Sequence, residues 1–333
     1  MKRRFAKTAA LFAVITILLS FTACNDRTAT GEYFDVFGTT LYIEGYSAEE
    51  AQSAAAVMRE AELLLSADIP SSDIGRINSA AAGESVTVSG LTMTLLLKAR
   101  EVYLLTDGAY DPSVYPLVEL WGFAPGDFVM GIAPDSLPTD GEIAAASELV
   151  GFDRAFSLDA DALTVTKLTD GAKLDLGGIA KGYAAQSSLA GFSDETLVNL
   201  GGNIGGVGRD YTIGIGAPRE YTHSYIGTLT LHSGECVSTS GDYERYYFFD
   251  GVRYHHIIDP SDGRPADSGF ISVTVVCRDG ALGDALSTAI AVAGEEKGRE
   301  WLDALSADHP EISAVFVGGD MNVSVYGRGF SAV

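Results

Sequence analysis

Cysteine is scarce in this chain of 333 residues, and positive charge is nearly as thin. The three cysteines, at positions 24, 236 and 277, are too few for the disulfide framework that staples small secreted domains. No Cys and His fall at the spacing of a zinc site. Lys and Arg number 22 against 45 Asp and Glu, a net charge of −23. DNA, RNA and anionic lipid surfaces each need a basic footprint, so none is the main partner. An anionic ligand must therefore be held by local devices, such as a metal ion or a helix N-terminus. The 38 glycines have no period, which excludes a collagen-like chain. Nucleotide signatures are missing as well. The run Gly201-Gly202-Asn203-Ile204-Gly205-Gly206-Val207-Gly208 never satisfies G-x-G-x-x-G, and neither G-x-x-x-x-G-K-[ST] nor G-x-S-x-G occurs. A Rossmann dehydrogenase, a P-loop ATPase and a serine hydrolase are disfavoured. What remains is 47% hydrophobic and 20% charged, enough apolar residue to bury a sizeable core.

The N-terminus reads as targeting rather than fold. Lys2, Arg3, Arg4 and Lys7 precede an apolar run from Ala9 to Phe21. That run is short of the about 20 residues a spanning helix needs and fits an export signal. Ala23 followed by Cys24 suggests lipoprotein processing, with residues 1–23 removed, Cys24 lipidated and residues 24–31 a tether; plain secretion is the alternative. Removal takes four basic and no acidic groups, so the charge moves from −23 to −27. Diacylation would give the two-chain anchor that stable membrane attachment requires. Cys236 and Cys277 both lie in apolar, β-like runs, and two buried free thiols is preferred to a disulfide.

Residues 33–46 predict a strand pair around Gly38-Thr39-Thr40. Helices are expected over 48–67 (Ser47 as N-cap), 92–106, 142–150, 178–190, 283–293 and 299–306. Strands are expected over 162–167, 211–215, 225–232, 236–240, 245–249 and 272–277, with a closing hairpin at 313–326. Residues 124–141, rich in Pro, Gly and Asp, predict a surface excursion. Helices and strands mix without strict alternation, which predicts an α+β fold and not a doubly wound sheet.

Four segments carry chemistry, each with a bland alternative. In Asp175-Leu176-Gly177-Gly178-Ile179-Ala180-Lys181-Gly182, a strand end feeds a glycine turn and a helix start, which suits phosphate; a tight turn with an exposed lysine is the alternative. In His255-His256-Ile257-Ile258-Asp259-Pro260, an imidazole beside a carboxylate suits a general base, and a buried hairpin histidine is the commoner outcome. An extended backbone turns adjacent residues to opposite faces, so only one of the two histidines can face a given site. Asp284 and Thr288, four apart, share a helix face and would suit a hard cation; the alternative is an N-capping Asp284 and a Thr288 that bonds back to the helix. Thr106 to Ser113, with Leu117 to Phe123, offers a turn, a carboxylate and an aromatic platform, or a turn packed on its own Trp121.

Taken together, these segments resemble the ApbE-like FAD:protein FMN transferases, formerly called thiamine-biosynthesis lipoproteins. The resemblance runs from about Tyr33 to Tyr326. It rests on LGGIAKGYA (176–184), NLGGN (199–203), SGDYER (240–245), HHIIDP (255–260) and DALSTA (284–289), in the family's order. It implies one catalytic domain over 32–330 with mixed sheets and packed helices, related to the T-fold. It implies Mg²⁺-dependent cleavage of FAD at its pyrophosphate, esterification of FMN to a threonine of a partner protein, and release of AMP. The acceptor would carry Asp or Ser, Gly, a small residue, then Thr, as on a membrane redox subunit. The metal would sit on the Gly178 carbonyl and the Asp284 and Thr288 side chains. Flavin contacts would map to Phe37, Ala109, Tyr110, Asp111, Asp175, Lys181 and Ile258, and His256 to the base that deprotonates the threonine. Position 37 is usually Met in the family, and Asp68 stands where an aromatic normally stacks on the ligand. Two other functions stay open: hydrolysis of FAD to free FMN and AMP, and flavin binding without turnover, which the retained HHIIDP and DALSTA motifs disfavour.

Overall fold

The computed structural model describes residues 30–332 except 46, 125–127, 193–194 and 220–223. The expected signal segment and Cys24 lie outside the described residues. At the centre is an eight-stranded sheet built by β1 (Thr30–Val36), β2 (Thr39–Gly45), β3 (Thr196–Leu200), β4 (Asn203–Val207), β5 (Cys236–Gly241), β6 (Phe270–Cys277), β7 (Ser313–Gly318) and β8 (Val323–Tyr326). These strands stand side by side in chain order, and every neighbouring pair is antiparallel. A doubly wound parallel sheet is thereby excluded, and the fold is α+β. The strand pair expected at 33–46 is β1–β2, but it begins at Thr30, which pairs with Gly45. Residues 30 and 31, expected to belong to a tether, are therefore strand.

Five helices matter for the site: α1 (Ala48–Leu65), α2 (Gly90–Leu105), α3 (Gly177–Ser188), α4 (Gly280–Ala293) and α5 (Glu295–Leu305). Ser47 caps α1, accepting from the Glu50 N–H at 3.2 Å, as its capping sequence predicts. Ser89 caps α2 in the same way, which starts that helix two residues before the expected Thr92. The α4 helix starts at Gly280 rather than 283, because Asp279 Oδ1 accepts the Leu282 N–H at 3.0 Å. That shift overturns the reading of Asp284 as a cap: it lies inside the helix and is 3% exposed. Helices α3 and α4 cross in unusually close contact. A Cβ added at Gly182 would stand 2.0 Å from the Gly280 carbonyl oxygen, and one at Gly280 would stand 2.4 Å from that of Gly182. Only glycine lets the two backbones meet.

The strand expected over 162–167 is present as Thr164–Lys167, but its partners were missed. A helix at Asp73–Ser79 and the strands Ser85–Thr87 and Phe156–Asp159, which flank Thr164–Lys167 in a three-stranded sheet, lie between β2 and β3. Each missed element is shorter than the windows from which a period can be read. Trp121 is buried, donates its indole N–H to the Gly263 carbonyl at 2.7 Å and stacks on Tyr254. It packs within its own loop layer rather than on the turn 106–113.

Candidate active site

Two hairpin tips set one wall of a cleft of about 450 Å³. The β1–β2 connection is Phe37-Gly38, with φ of 54° and 63°; the β3–β4 connection is Gly201-Gly202, with φ of 56° and 88°. Positive φ at both loop positions matches the twist of two-residue hairpins. It costs nothing at glycine and is strained at a bulky aromatic. Phe37 accepts that strain with its ring on the cleft. At Gly201 a Cβ would fall 2.7 Å from Thr39 Oγ1, so the two tips interlock. The glycine run that failed the dinucleotide fingerprint therefore begins as a β-turn.

The opposite wall is the crossing of α3 and α4. Gly178 departs from helical geometry (φ −90°, ψ 15°), kinking α3 in its first turn. A Cβ there would lie 3.3 Å from Thr288 Oγ1 and 3.4 Å from the Tyr110 ring. Asp284 Oδ2 accepts the Gly182 N–H at 2.9 Å, a bond the close helix contact makes possible. Thr288 Oγ1 donates to the Asp284 carbonyl at 3.2 Å and lies 3.1 Å from Ser240 Oγ. The back-bonding Thr and the shared helix face are thus both present. Burial pushes the Asp284 carboxyl up, opposed by Lys181 and by hydrogen bonds from Gly182 and Asn203. Lys181 Nζ itself donates to the Gly177 carbonyl, while Asp175 Oδ1 accepts the Gly177 N–H at 2.7 Å. The helix start expected to receive phosphate thus already carries a carboxylate.

The third side comes from the turn 109–111 and from 256–258. Ala109, Tyr110, Asp111, Asp175, Gly178, Lys181, His256, Ile258, Asp284 and Thr288 all line this cleft together with Phe37. The Asp111 carboxylate is already engaged, with Oδ1 accepting the Ser113 N–H at 2.8 Å and hydroxyl at 2.6 Å. The stretch 254–258 is not one extended strand: a strand ends at His255, and the next begins at Ile258. His255 faces a different cavity, its Nε2 3.0 Å from the Ala266 carbonyl. His256 is on the cleft, and its Nδ1 is buried without a partner. Burial, with Arg245, His255 and Lys181 nearby, depresses this imidazole to about 3. It is neutral at working pH, where the sequence had suggested a base near neutrality.

Other cleft residues carried no assignment from the sequence. Glu244 and Arg245 line it, as do Thr239 and Ser240. Burial raises the Glu244 carboxyl to about 7, with Lys181 opposing and Asp284 adding. Both residues sit inside the SGDYER run, and an acid beside a base just past a strand end was the signal available. Asp68 is not among the lining residues; it accepts the Tyr115 hydroxyl at 3.0 Å.

The donors around Asp284 suit a hard cation. Gly178 has non-helical backbone beside the Thr288 hydroxyl, and the Asp284 carboxylate lines the same cleft. The Tyr110 hydroxyl is buried next to them with no hydrogen-bond partner. An all-oxygen set of this kind matches Mg²⁺ rather than a thiophilic ion.

The ApbE family model matches residues 37–316. The chain belongs to the ApbE family. Among its relatives, a FAD:protein FMN transferase of Klebsiella pneumoniae is 34% identical over 288 residues, covering 85% of this chain and 87% of the relative. The crystal structure of the ApbE protein of Thermotoga maritima superposes with a TM-score of 0.77 at 32% identity, covering 89% of this chain and 96% of that one. The flavin transferase ApbE of Vibrio cholerae gives 0.75 at 28% identity, covering 90% and 97%. The ApbE segments read from the sequence are the segments that meet in the cleft.

Proposed function

We propose that this chain is a FAD:protein FMN transferase that moves FMN from FAD to a threonine hydroxyl of a target protein, with Mg²⁺, and releases AMP. One observation carries the reading. A neutral imidazole whose buried Nδ1 has no partner and a hard-oxygen donor set (Gly178, Asp284, Thr288) line the same cleft. Phosphoryl transfer asks the protein mainly for positioning and charge neutralisation. Bound Mg²⁺ would supply charge neutralisation at the pyrophosphate. Lys181 adds a cation on the same side, and Phe37 and Ile258 offer apolar surface to the isoalloxazine. His256 Nδ1 accepts the threonine proton as Thr Oγ bonds to the FMN phosphorus and the bond to the AMP oxygen breaks. AMP carries the leaving electron pair.

The test incubates the protein without its signal segment with FAD, Mg²⁺ and an acceptor carrying the Asp/Ser-Gly-small-Thr sequence. Fluorescence that stays with the acceptor on a denaturing gel is the expected result. Free FMN and AMP with no labelled acceptor would assign the chain to FAD hydrolysis instead. Asp284→Ala should abolish transfer while leaving the fold intact, and transfer at near the parental rate under limiting Mg²⁺ would refute the metal assignment. Lipidation at Cys24, with anchoring outside the cytoplasm, belongs to the same proposal. Among the described residues no helix is long and apolar enough to cross a membrane.

A further inference from the structure

Where β6 ends, three side chains of different chemistry turn toward one point. Cys277 Sγ lies 3.7 Å from His309 Nδ1 and 3.9 Å from Glu311 Oε1. The imidazole nitrogen lies 3.6 Å from the same carboxylate oxygen. None of the three lines the cleft. A tetrahedral ion with metal–sulfur distances of about 2.3 Å and metal–nitrogen or metal–oxygen distances of about 2.0–2.1 Å has ligand–ligand edges of about 3.4–3.6 Å. The observed triangle is within a few tenths of an ångström of that figure, so side-chain adjustment alone would close it on an ion.

The surroundings favour the same use. His309 and Glu311 share one tight turn, closed by the Ile312 N–H on the His309 carbonyl at 2.9 Å. The Arg278 N–H donates to Glu311 Oε1 at 3.0 Å and orients the carboxylate, as outer partners of metal ligands do. Cys277 is fully buried, whereas the His309 side chain is 24% exposed, leaving one side open to solvent. Burial pushes the Cys277 thiol up to about 12, so it keeps its proton until a cation displaces it. A thiolate, an imidazole and a carboxylate form a borderline donor set, unlike the oxygen set at Asp284.

We propose that Cys277, His309 and Glu311 form a Zn²⁺ site, with water in the fourth position. The ion ties the segment between α5 and β7 to the turn leading from β6 into α4. FMN transfer does not pass through it, since none of the three ligands lines the cleft. No sequence spacing marked the site, because 32 residues separate the thiol from the imidazole. Only the β6–β7 pairing brings them together.

The experiment uses reduced, chelator-stripped full-length protein in saturating Mg²⁺, titrated with Zn²⁺ against a colour-forming chelator and separately with Co²⁺. One Zn²⁺ per chain is expected, with a rise in melting temperature by mass action. A thiolate-to-cobalt charge-transfer band should appear in the near ultraviolet. Cys277→Ser should remove that band, and His309→Ala should weaken Zn²⁺ by about 100-fold or more, since even outer-shell losses cost 10–100-fold. Transfer activity should survive His309→Ala. Should the buried Cys277→Ser fail to fold, the partly exposed His309→Ala carries the test. The proposal is overturned by Zn²⁺ affinity that His309→Ala leaves unchanged, or by a Co²⁺ spectrum without a thiolate band. A disulfide from Cys277 to its cross-strand partner Cys236 in the isolated protein would overturn it too.

Discussion

His256 and Phe37 each do something a residue of their type seldom does. An imidazole whose Nδ1 is buried with no partner stays uncharged across the physiological range, so deprotonation does not limit it as a base. His256→Ala should lower turnover by about 10²–10⁴ with FAD affinity nearly kept, while His255→Ala, on the other cavity, costs little. Single-turnover kinetics separates the two effects. The rate should not rise through an imidazole titration between about pH 5 and 8; a rise that vanishes only in the His256 variant would mean that the ring titrates near neutrality after all. Stability follows the same sign. Because the folded value of about 3 lies below the ordinary 6.5, neutral burial is without cost above 6.5. The unfolded chain takes up a proton as pH falls from there toward 3, and stability is lost in that window. Acid unfolding of His256→Gln should therefore be flatter over it. For Phe37, Asn accepts positive φ and removes the ring. Phe37→Asn should raise the melting temperature slightly, by relief of about 1 kcal/mol of strain, and weaken FAD binding. A loss of stability with unchanged FAD affinity would make the ring a packing residue only.

At the scale of elements, the crossing of α3 and α4 decides whether the donor set exists. Gly182 and Gly280 let the backbones touch, and the Gly182 N–H then fixes the Asp284 carboxylate. Gly182→Ala would put a methyl 2.0 Å from the Gly280 oxygen, so the helices must separate. The cost should be about 1–3 kcal/mol, the range for overpacking, with a larger loss of Mg²⁺ affinity than of stability. Thermal melts with and without Mg²⁺ test this. Equal melting shifts in both conditions would show that the crossing serves packing alone. The α4 boundary makes a related point. The sequence offered Asp284 as a cap, and the residue that caps the helix is Asp279, earlier in the chain. Both are aspartates next to small residues, so local propensity does not separate them.

For the whole molecule, the strongly acidic composition and the proposed anchor act together. On the proposal that residues 1–23 are removed and Cys24 is lipidated, the remaining chain of net charge −27 should not adhere to anionic lipid by its surface, so any membrane attachment would rest on Cys24. Cys24→Ser should move the protein from the detergent phase to the aqueous phase with its specific activity intact, and unchanged partitioning would mean that the apolar segment is retained instead.

Much of this was legible in the chain itself. The acidic balance, the capped helices and the closing hairpin follow from local composition and period, which neighbouring residues determine alone. The five motif runs named the cleft, because a short run of glycines, acids and histidines carries its chemistry wherever it folds. Tertiary structure decided the rest. It set which histidine faces the cleft, that the His256 imidazole is held neutral with its Nδ1 buried, and that Trp121 packs its own layer. It joined Glu244 to Asp284 and Cys277 to His309. Each of these depends on strands and helices far apart in sequence meeting side by side, and desolvation and cross-strand distance are properties of that meeting, not of any segment.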